Sequence, residues 1–254
     1  MNDRNDYIAV FDSGVGGISV LRHLVEQMPQ ERFLYFGDSA NAPYGTRSTE
    51  EIRTLTFAAV EELLSHNIKA LVLACNTATA AAAKALRLAY PELIIIGIEP
   101  ALKPAAERFP EGTVGILATP ATLREGKLER LIARHGGDCH VERIPAPGLV
   151  ELIEHGKAED AETEDLLRGL LEQWAGKLDG IVLGCTHYPF AADTIARILP
   201  GTEIFDGGAG TARNTRRRLA EAGLLRETGE GCVVFENSSA DLEMLPRCEK
   251  LLKA

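Results

Sequence analysis

The sequence contains one apolar segment twice, and each copy ends in a cysteine followed by small polar residues. Residues 70–80 read ALVLACNTATA and residues 180–190 read GIVLGCTHYPF, so that Cys185 takes the place of Cys75. Short continuous apolar runs of this kind are typical of parallel strands that are buried on both faces. Each strand is predicted to bring a thiol to the carboxyl edge of its sheet, where open α/β sheets bind ligands.

A second repeat supports the same plan. Residues 7–17, YIAVFDSGVGG, and residues 113–122, TVGILATPAT, both read as a strand, a loop and the start of a helix. Strands and helices alternate along the chain, which predicts an α/β fold with two similar lobes and mainly parallel sheets. We expect residues 1–97 with 207–254 to form the first lobe, because the last elements can cover an open edge of its sheet. Residues 98–206 are expected to form the second lobe.

Composition argues against several classes of function. The chain has 254 residues and a formal net charge of -10 without a long basic run, which argues against a nucleic-acid-binding protein. No apolar segment reaches the roughly 18 residues that span a bilayer, and residues 1–7 are too polar for a signal peptide. We therefore expect a cytoplasmic protein without a membrane partner.

The cysteines divide into a matched pair and three others. Their number is odd and no two have C-x-x-C spacing, so neither a disulfide framework nor a zinc site is predicted. Packing alone explains an isolated buried cysteine, but it does not require a thiol at two equivalent strand ends. His187, two residues after Cys185, can tune that thiol or transfer a proton. The remaining thiols carry no predicted role; they are Cys139, Cys232 and Cys248.

The loop after the first strand allows two interpretations. Gly14, Gly16 and Gly17 suggest a dinucleotide site, with Asp38 at the distance of a ribose-binding acid. The order is not G-x-G-x-x-G, however, and the Asp12 carboxylate would oppose a pyrophosphate at a helix N-terminus. A small amphoteric ligand fits better, since Asp12 suits an ammonium group and Ser13 suits a carboxylate.

These motifs together resemble the bacterial glutamate racemases of the aspartate/glutamate racemase superfamily. The matching segments are FDSGVGG at 11–17, GD at 37–38, PYG at 43–45, CNTA at 75–78 and GCTHYP at 184–189. The resemblance implies two lobes related by a pseudo-twofold axis with the active site between them, no cofactor and a homodimer. It also implies interconversion of L- and D-glutamate, supplying D-glutamate for peptidoglycan.

The resemblance further implies roles for individual residues. Cys75 and Cys185 act as acid and base on the two faces of the substrate α-carbon, Asp12 and His187 assist them, and Glu154 lies near the second thiol. Tyr44 and Gly45 hold the side-chain carboxylate, and Thr119 and Thr122 lie beside the α-carboxylate. The full set expected to bind substrate is Asp12, Ser13, Tyr44, Gly45, Asn76, Thr77, Thr119, Thr122, Thr186 and His187.

Three other functions remain open at this stage. Aspartate or another acidic amino acid is an alternative substrate for the same chemistry. A two-lobed binding protein would close on an amino acid without exchanging its α-proton. A Cys/His hydrolase would use one thiol as a nucleophile and leave the second cysteine without a role.

Overall fold

The computed structural model describes residues 3–124 and 126–253. Contacts divide the chain into two compact units, Met1–Ile98 with Gly208–Ala254 and Glu99–Gly207. Each boundary falls one residue after the one expected from the sequence. Residues 1, 2 and 254 of the expected first lobe, and residue 125 of the second, lie outside the described residues.

Nine strands and eleven helices are assigned within the described residues. The first stretch contains β1 (Tyr7–Asp12), α1 (Ile18–Gln27), β2 (Arg32–Gly37), α2 (Thr49–Leu64), β3 (Ile68–Leu73), α3 (Asn76–Ala89) and β4 (Ile94–Gly97). The second unit contains α4 (Leu102–Arg108), β5 (Thr113–Ala118), α5 (Pro120–Arg124), α6 (Gly126–His135), β6 (His140–Pro145), α7 (Leu149–Glu154), α8 (Ala161–Leu171), β7 (Gly180–Leu183), α9 (Ala192–Ile198) and β8 (Glu203–Asp206). The chain ends with α10 (Gly208–Glu221), β9 (Cys232–Asn237) and α11 (Met244–Lys253).

The first unit is built on a five-stranded sheet in the order β4-β3-β1-β2-β9, and every described pair in it is parallel. All six residues of β3 are buried, so both faces of this strand are covered, as its apolar sequence predicts. On one face α2 and α3 enclose a core that includes Phe11, Ile52 and Leu71, while α1 packs against α10 and α11.

The second unit repeats this topology in four strands. Its sheet has the order β6-β5-β7-β8, again with all pairs parallel. Read from the other end, β8-β7-β5-β6 corresponds strand for strand to β4-β3-β1-β2. The predicted α/β class with two similar units and parallel sheets is therefore confirmed, and the strands that precede the two repeated cysteines occupy equivalent positions.

Helix α2 has a well-defined N-terminal cap. The cap is Ser48, whose side chain accepts from the Glu51 backbone N–H while the Glu51 carboxylate accepts from the Ser48 N–H. This reciprocal capping box satisfies two N–H groups that the first helical turn leaves unpaired. The helix ends at Leu64. Among the described residues, no helix is both long and apolar enough to cross a membrane.

A buried ion pair lies where β2 and β3 begin. Lys69 Nζ is 2.6 Å from Glu31 Oε2, and neither side chain has any exposed surface. The ammonium group also donates to the carbonyl oxygens of Arg4 and Leu224, while Glu31 Oε1 accepts from the Arg226 N–H. Burial lowers the pKa of Lys69, and the contact with Glu31 opposes that shift. The pair thus connects the start of the sheet to the segment between α10 and β9.

We predict that Glu31→Ala destabilises the protein by about 3–5 kcal/mol, because it leaves a buried ammonium group without its counter-charge. The matched control is Glu221→Ala, which removes an exposed ion pair with Arg217 in α10 of the same unit and is expected to cost at most about 1 kcal/mol. Urea unfolding followed by far-ultraviolet circular dichroism compares the two. Equal losses of stability in the two variants would contradict this account of Glu31.

Candidate active site

In the first unit, functional side chains meet at the carboxyl ends of β1 and β3. These strands are neighbours, with Phe11 opposite Leu73, and the Ala74 N–H continues the ladder by donating to Phe11 O at 2.8 Å. In the sheet β2 lies on one side of β1 and β3 lies on the other, so the strand order reverses direction at β1. Such a reversal opens a crevice at the strand ends, which is where ligands bind in open α/β sheets.

Cys75 lies at this crevice as the N-cap of α3 rather than as the last residue of β3, which ends at Leu73. Its Sγ accepts from the Ala78 backbone N–H at 3.4 Å and lies 3.4 Å from Ser13 Oγ. The N-terminal end of a 14-residue helix carries partial positive charge. This position therefore stabilises negative charge on the sulfur, which a strand end alone would not do.

Asp12 is fully buried at the end of β1 and is oriented by the loop that follows it. Its Oδ1 accepts from the Gly14 N–H at 2.9 Å. Gly17 lies so close that an added Cβ would stand 2.6 Å from the Asp12 Cβ, so a larger residue there would displace the carboxylate. The glycines of this loop thus leave room for an acid, as the amphoteric-ligand interpretation requires.

Asn76 supplies an acceptor to the same crevice. Its side-chain oxygen is buried and accepts no hydrogen bond from any residue within 3–124 and 126–253. An unsatisfied buried carbonyl oxygen costs roughly 1–3 kcal/mol, so such groups are rare in folded proteins unless a ligand completes them. Thr77, the next residue, is also buried.

Tyr44 is buried beside these groups, with its ring centroid 6.4 Å from that of Phe11. Its hydroxyl donates to Asp38 Oδ2 at 2.7 Å. Burial, the hydrogen bond to Asp38 and the nearby charges of Asp38, Cys75 and Asp12 raise the pKa of Tyr44. The phenol therefore remains protonated, and its single proton is engaged by Asp38. Gly45 follows in the helical turn Tyr44–Thr46.

In the second unit, the equivalent strand ends bring together a thiol and two threonines. Leu117 of β5 lies opposite Leu183 of β7, and the Gly184 N–H donates to Leu117 O at 2.7 Å. An added Cβ on Gly184 would stand 2.9 Å from the Ala118 Cβ, so only glycine permits this approach just before Cys185. Thr119 and Thr122 follow β5, and both are buried, with their hydroxyl oxygens 3.1 Å apart.

Cys185, His187 and Glu154 form a chain of contacts. Cys185 Sγ is 3.7 Å from His187 Nδ1, and His187 Nε2 is 2.5 Å from Glu154 Oε1. Burial lowers the pKa of His187, but hydrogen bonds to Cys185 and Glu154 outweigh it and hold that pKa well above the ordinary value. The ring therefore carries its proton between a carboxylate and a sulfur, an arrangement suited to holding or transferring a proton.

Two further buried residues lie next to Cys185 and His187 in the sequence. Thr186, which lies between Cys185 and His187 in the sequence, is buried. Tyr188 is buried as well, and its hydroxyl donates to Ala146 O at 3.2 Å, which ties the turn after Cys185 to the segment before α7. Within the described part of the chain, no three His, Cys, Asp or Glu side chains are grouped so that they could hold a metal ion.

Comparison with known proteins agrees with these motifs. Residues 8–215 match the Asp/Glu/Hydantoin racemase family. The chain belongs to this family. One relative in it, a glutamate racemase of Clostridium botulinum, is 44% identical over 257 aligned residues that cover 100% of both chains.

Solved structures extend the agreement to three dimensions. A glutamate racemase of Thermus thermophilus in complex with β-chloro-D-alanine has a TM-score of 0.84 and 34% identity, with 100% of this chain and 95% of that one covered. An Escherichia coli glutamate racemase in complex with L-glutamate and the activator UDP-MurNAc-ala has a TM-score of 0.86 and 31% identity, with 97% and 95% covered. The resemblance to bacterial glutamate racemases is thereby confirmed.

The structure thus forms two clusters from the residues that the sequence singles out. In the first unit they are Asp12, Ser13, Cys75, Asn76 and Thr77 with Tyr44 and Gly45 on an adjoining loop, and in the second they are Cys185, Thr186, His187 and Glu154 with Thr119 and Thr122 after the neighbouring strand.

Sequence reasoning gave Asp38 no role beyond the disfavoured nucleotide site. The signal that could have indicated a role is its position directly after β2, at the same sheet edge as Asp12 of the neighbouring strand β1.

We predict that Glu154→Gln lowers the pKa of His187, because it removes the negative charge beside Nε2. Because the pKa of His187 is raised in the folded state, its protonation stabilises the fold. This contribution is fully present at a pH below the ordinary histidine pKa near 6.5, and it is lost as the pH rises through the folded-state pKa. The advantage of the parent protein over Glu154→Gln in unfolding free energy should therefore shrink as the pH rises above about 6.5.

NMR titration of the His187 ring measures the shift directly. The matched control is Glu151→Gln on the same helix. It removes an equal charge whose side chain makes no described bond to His187, so His187 should titrate in this variant as it does in the parent protein. A His187 pKa unchanged by Glu154→Gln would contradict the proposed role of the carboxylate.

Proposed function

We propose that this protein is a cofactor-independent glutamate racemase that interconverts L- and D-glutamate with Cys75 and Cys185 as its two acid/base groups. Membership of the racemase family and the glutamate racemases aligned over the whole chain support the reaction. The observation that carries the mechanism is the repeat itself. Two units of equal topology each present a buried cysteine after the equivalent strand, beside a group that can stabilise charge or move a proton.

Racemisation requires a base on one face of the α-carbon and an acid on the other, so one sulfur must be a thiolate while the other keeps its proton. An ordinary cysteine has a pKa near 8.5, so only a few per cent is thiolate at pH 7 without help. At Cys75 the helix N-terminus and the Ala78 N–H favour the thiolate. Asp12 is nearby to accept a proton, or a hydrogen bond from the substrate ammonium group. At Cys185 the protonated His187 stabilises the thiolate, and Glu154 stabilises that protonated ring.

The substrate offers one ammonium group and two carboxylates, and the described groups match them. The free side-chain oxygen of Asn76 is suited to accept from the ammonium group, together with Asp12. By resemblance, Thr119 and Thr122 lie beside the α-carboxylate, Tyr44 and Gly45 hold the side-chain carboxylate, and Ser13, Thr77 and Thr186 complete the site.

Proton removal places carbanion charge on the α-carboxylate. Hydroxyl and amide donors already oriented toward it stabilise that charge at no further cost in reorganisation. The hydroxyls of Thr77 and Thr186 and the amide of Asn76 are the donors that we assign to this task. No lysine stands in the site motifs to hold a pyridoxal electron sink, so the proposal includes neither a cofactor nor a metal.

Exchange with solvent tests the reaction. Incubation of enantiopure glutamate with enzyme in D₂O should produce both enantiomers and deuterium at the α-carbon. Calorimetric binding without deuterium uptake would support a binding protein instead, a covalent acyl-enzyme would support a hydrolase, and turnover of aspartate alone would replace glutamate as the substrate.

We predict that Cys75→Ala and Cys185→Ala each abolish racemisation in both directions, since each thiol is a base one way and an acid the other. The corresponding serine variants should be slow, at roughly 1% of parent activity or below, because a hydroxyl keeps the geometry but has a pKa far from the working pH. Circular dichroism of the reaction mixture measures the rates. Cys139→Ala changes a buried thiol outside both clusters and should retain activity.

A substrate analogue with a leaving group on the β-carbon separates the two thiols, because elimination needs only one base. By resemblance Cys75 removes the proton of D-glutamate and Cys185 that of L-glutamate. Cys75→Ser should therefore still eliminate from the L-analogue, and Cys185→Ser from the D-analogue. Equal loss of both eliminations in both variants would refute this assignment.

We further propose that the protein is a cytoplasmic homodimer whose product, D-glutamate, enters peptidoglycan. These points rest on the family resemblance. We predict that light scattering of the purified chain gives twice the mass of one chain at micromolar concentration. A single species with the mass of one chain would overturn the dimer.

A further inference from the structure

The loop that carries Tyr44 is held by a segment of the chain about 200 residues away. Asp38, at the start of this loop, is buried and receives hydrogen bonds on both carboxylate oxygens. The Asn41 amide donates to Oδ1 at 3.0 Å and to Oδ2 at 3.1 Å, and the Tyr44 hydroxyl donates to Oδ2. The remaining side-chain donor is Ser238, whose hydroxyl donates to Oδ1 at 2.6 Å.

Ser238 follows β9, the strand that the first unit has and the second unit lacks. Parallel pairing of β2 with β9 ends with Gly37 opposite Asn237, and the Ser238 N–H then donates to Gly37 O at 3.0 Å. The Ser238 hydroxyl also accepts from the Ala40 N–H at 3.0 Å. One residue earlier, the Asn237 amide donates to Ser39 Oγ at 3.0 Å.

We propose that Ser238 is a positioning residue for substrate binding: through Asp38 it holds the loop of residues 38–47 so that the backbone N–H groups of Tyr44 and Gly45 meet the side-chain carboxylate of the substrate. This inference rests on the proposed function of Tyr44 and Gly45. It assigns a part of the racemase site to the C-terminal segment, beyond residue 215, where the family match ends.

Ser238 contacts the loop and not the hydrophobic core. The residue is exposed, so its side chain adds little to the core, yet its hydroxyl contacts a buried carboxylate and a backbone N–H of the loop. Because the single Tyr44 proton is engaged by Asp38, any displacement of Asp38 moves the phenol and the turn that begins with it. The expected effect is on binding of the substrate side chain, not on proton transfer at the thiols.

The test is Ser238→Ala assayed for racemisation. We expect KM for glutamate to rise about 3- to 10-fold with kcat within about twofold of the parent. This is less than the full effect of losing a hydrogen bond to a charged group, because the bond acts on the substrate only through the loop. The preference for glutamate over aspartate in kcat/KM should fall, because the loop is assigned to the side-chain carboxylate. Ser238→Thr keeps the hydroxyl and should restore KM.

Ser239→Ala is the matched control. The Ser239 hydroxyl accepts from the Asp241 N–H, and no described contact of that hydroxyl reaches the loop. Hydrogen exchange of residues 38–47 without substrate gives a readout independent of catalysis: it should accelerate in Ser238→Ala and stay unchanged in Ser239→Ala.

Two outcomes overturn the inference. One is a KM and an exchange rate in Ser238→Ala that equal those of Ser239→Ala. The other is a rise in KM accompanied by a fall in both kcat and melting temperature, none of which threonine restores, because that pattern indicates general destabilisation. Failure of the proposed function is distinguishable from both, because the parent protein would then show no racemisation while the exchange comparison still reports on the loop.

Discussion

Parallel pairing of adjacent strands is the constraint on which both clusters depend. Where β1 pairs with β3 and β5 with β7, the carboxyl ends of the strands lie side by side, so residues about 60–70 positions apart in sequence come within contact distance. Ser13 reaches Cys75 in this way. An antiparallel pair would place the two ends at opposite edges of the sheet and separate the same residues by the length of the strand.

The two units share a topology but not a chemistry. Cys75 caps a 14-residue helix and receives a backbone N–H, whereas Cys185 precedes a short turn and contacts a protonated imidazole. The first sulfur thus lies at the positive end of a helix dipole, and the second lies beside the His187 ring. The proposed racemisation needs a base for each enantiomer, and under that proposal the two thiols serve as those bases with different neighbours.

The first unit is also larger, because α10, β9 and α11 return to it from the end of the chain. This return does more than cover a sheet edge. It places Asn237 and Ser238 against the loop after β2, and it brings the carbonyl of Leu224 and the N–H of Arg226 to the buried Lys69–Glu31 pair. The same C-terminal segment therefore contributes to the stability of the unit and to the order of its loop.

The local sequence pattern was enough to predict the strands, their burial and the two thiol positions. A continuous apolar run that ends in turn residues is typical of a strand buried on both faces. The local pattern also predicted the contact between Cys185 and His187, which are two residues apart. Pattern could not show that Cys75 caps α3, because that depends on where the strand stops and the helix starts within three residues. The ion pair of Lys69 with Glu31 and the bond from Ser238 to Asp38 were decided by the tertiary structure alone. These pairs lie 38 and 200 residues apart, and such contacts depend on strand register and on the return of the chain to an edge, which no local periodicity encodes.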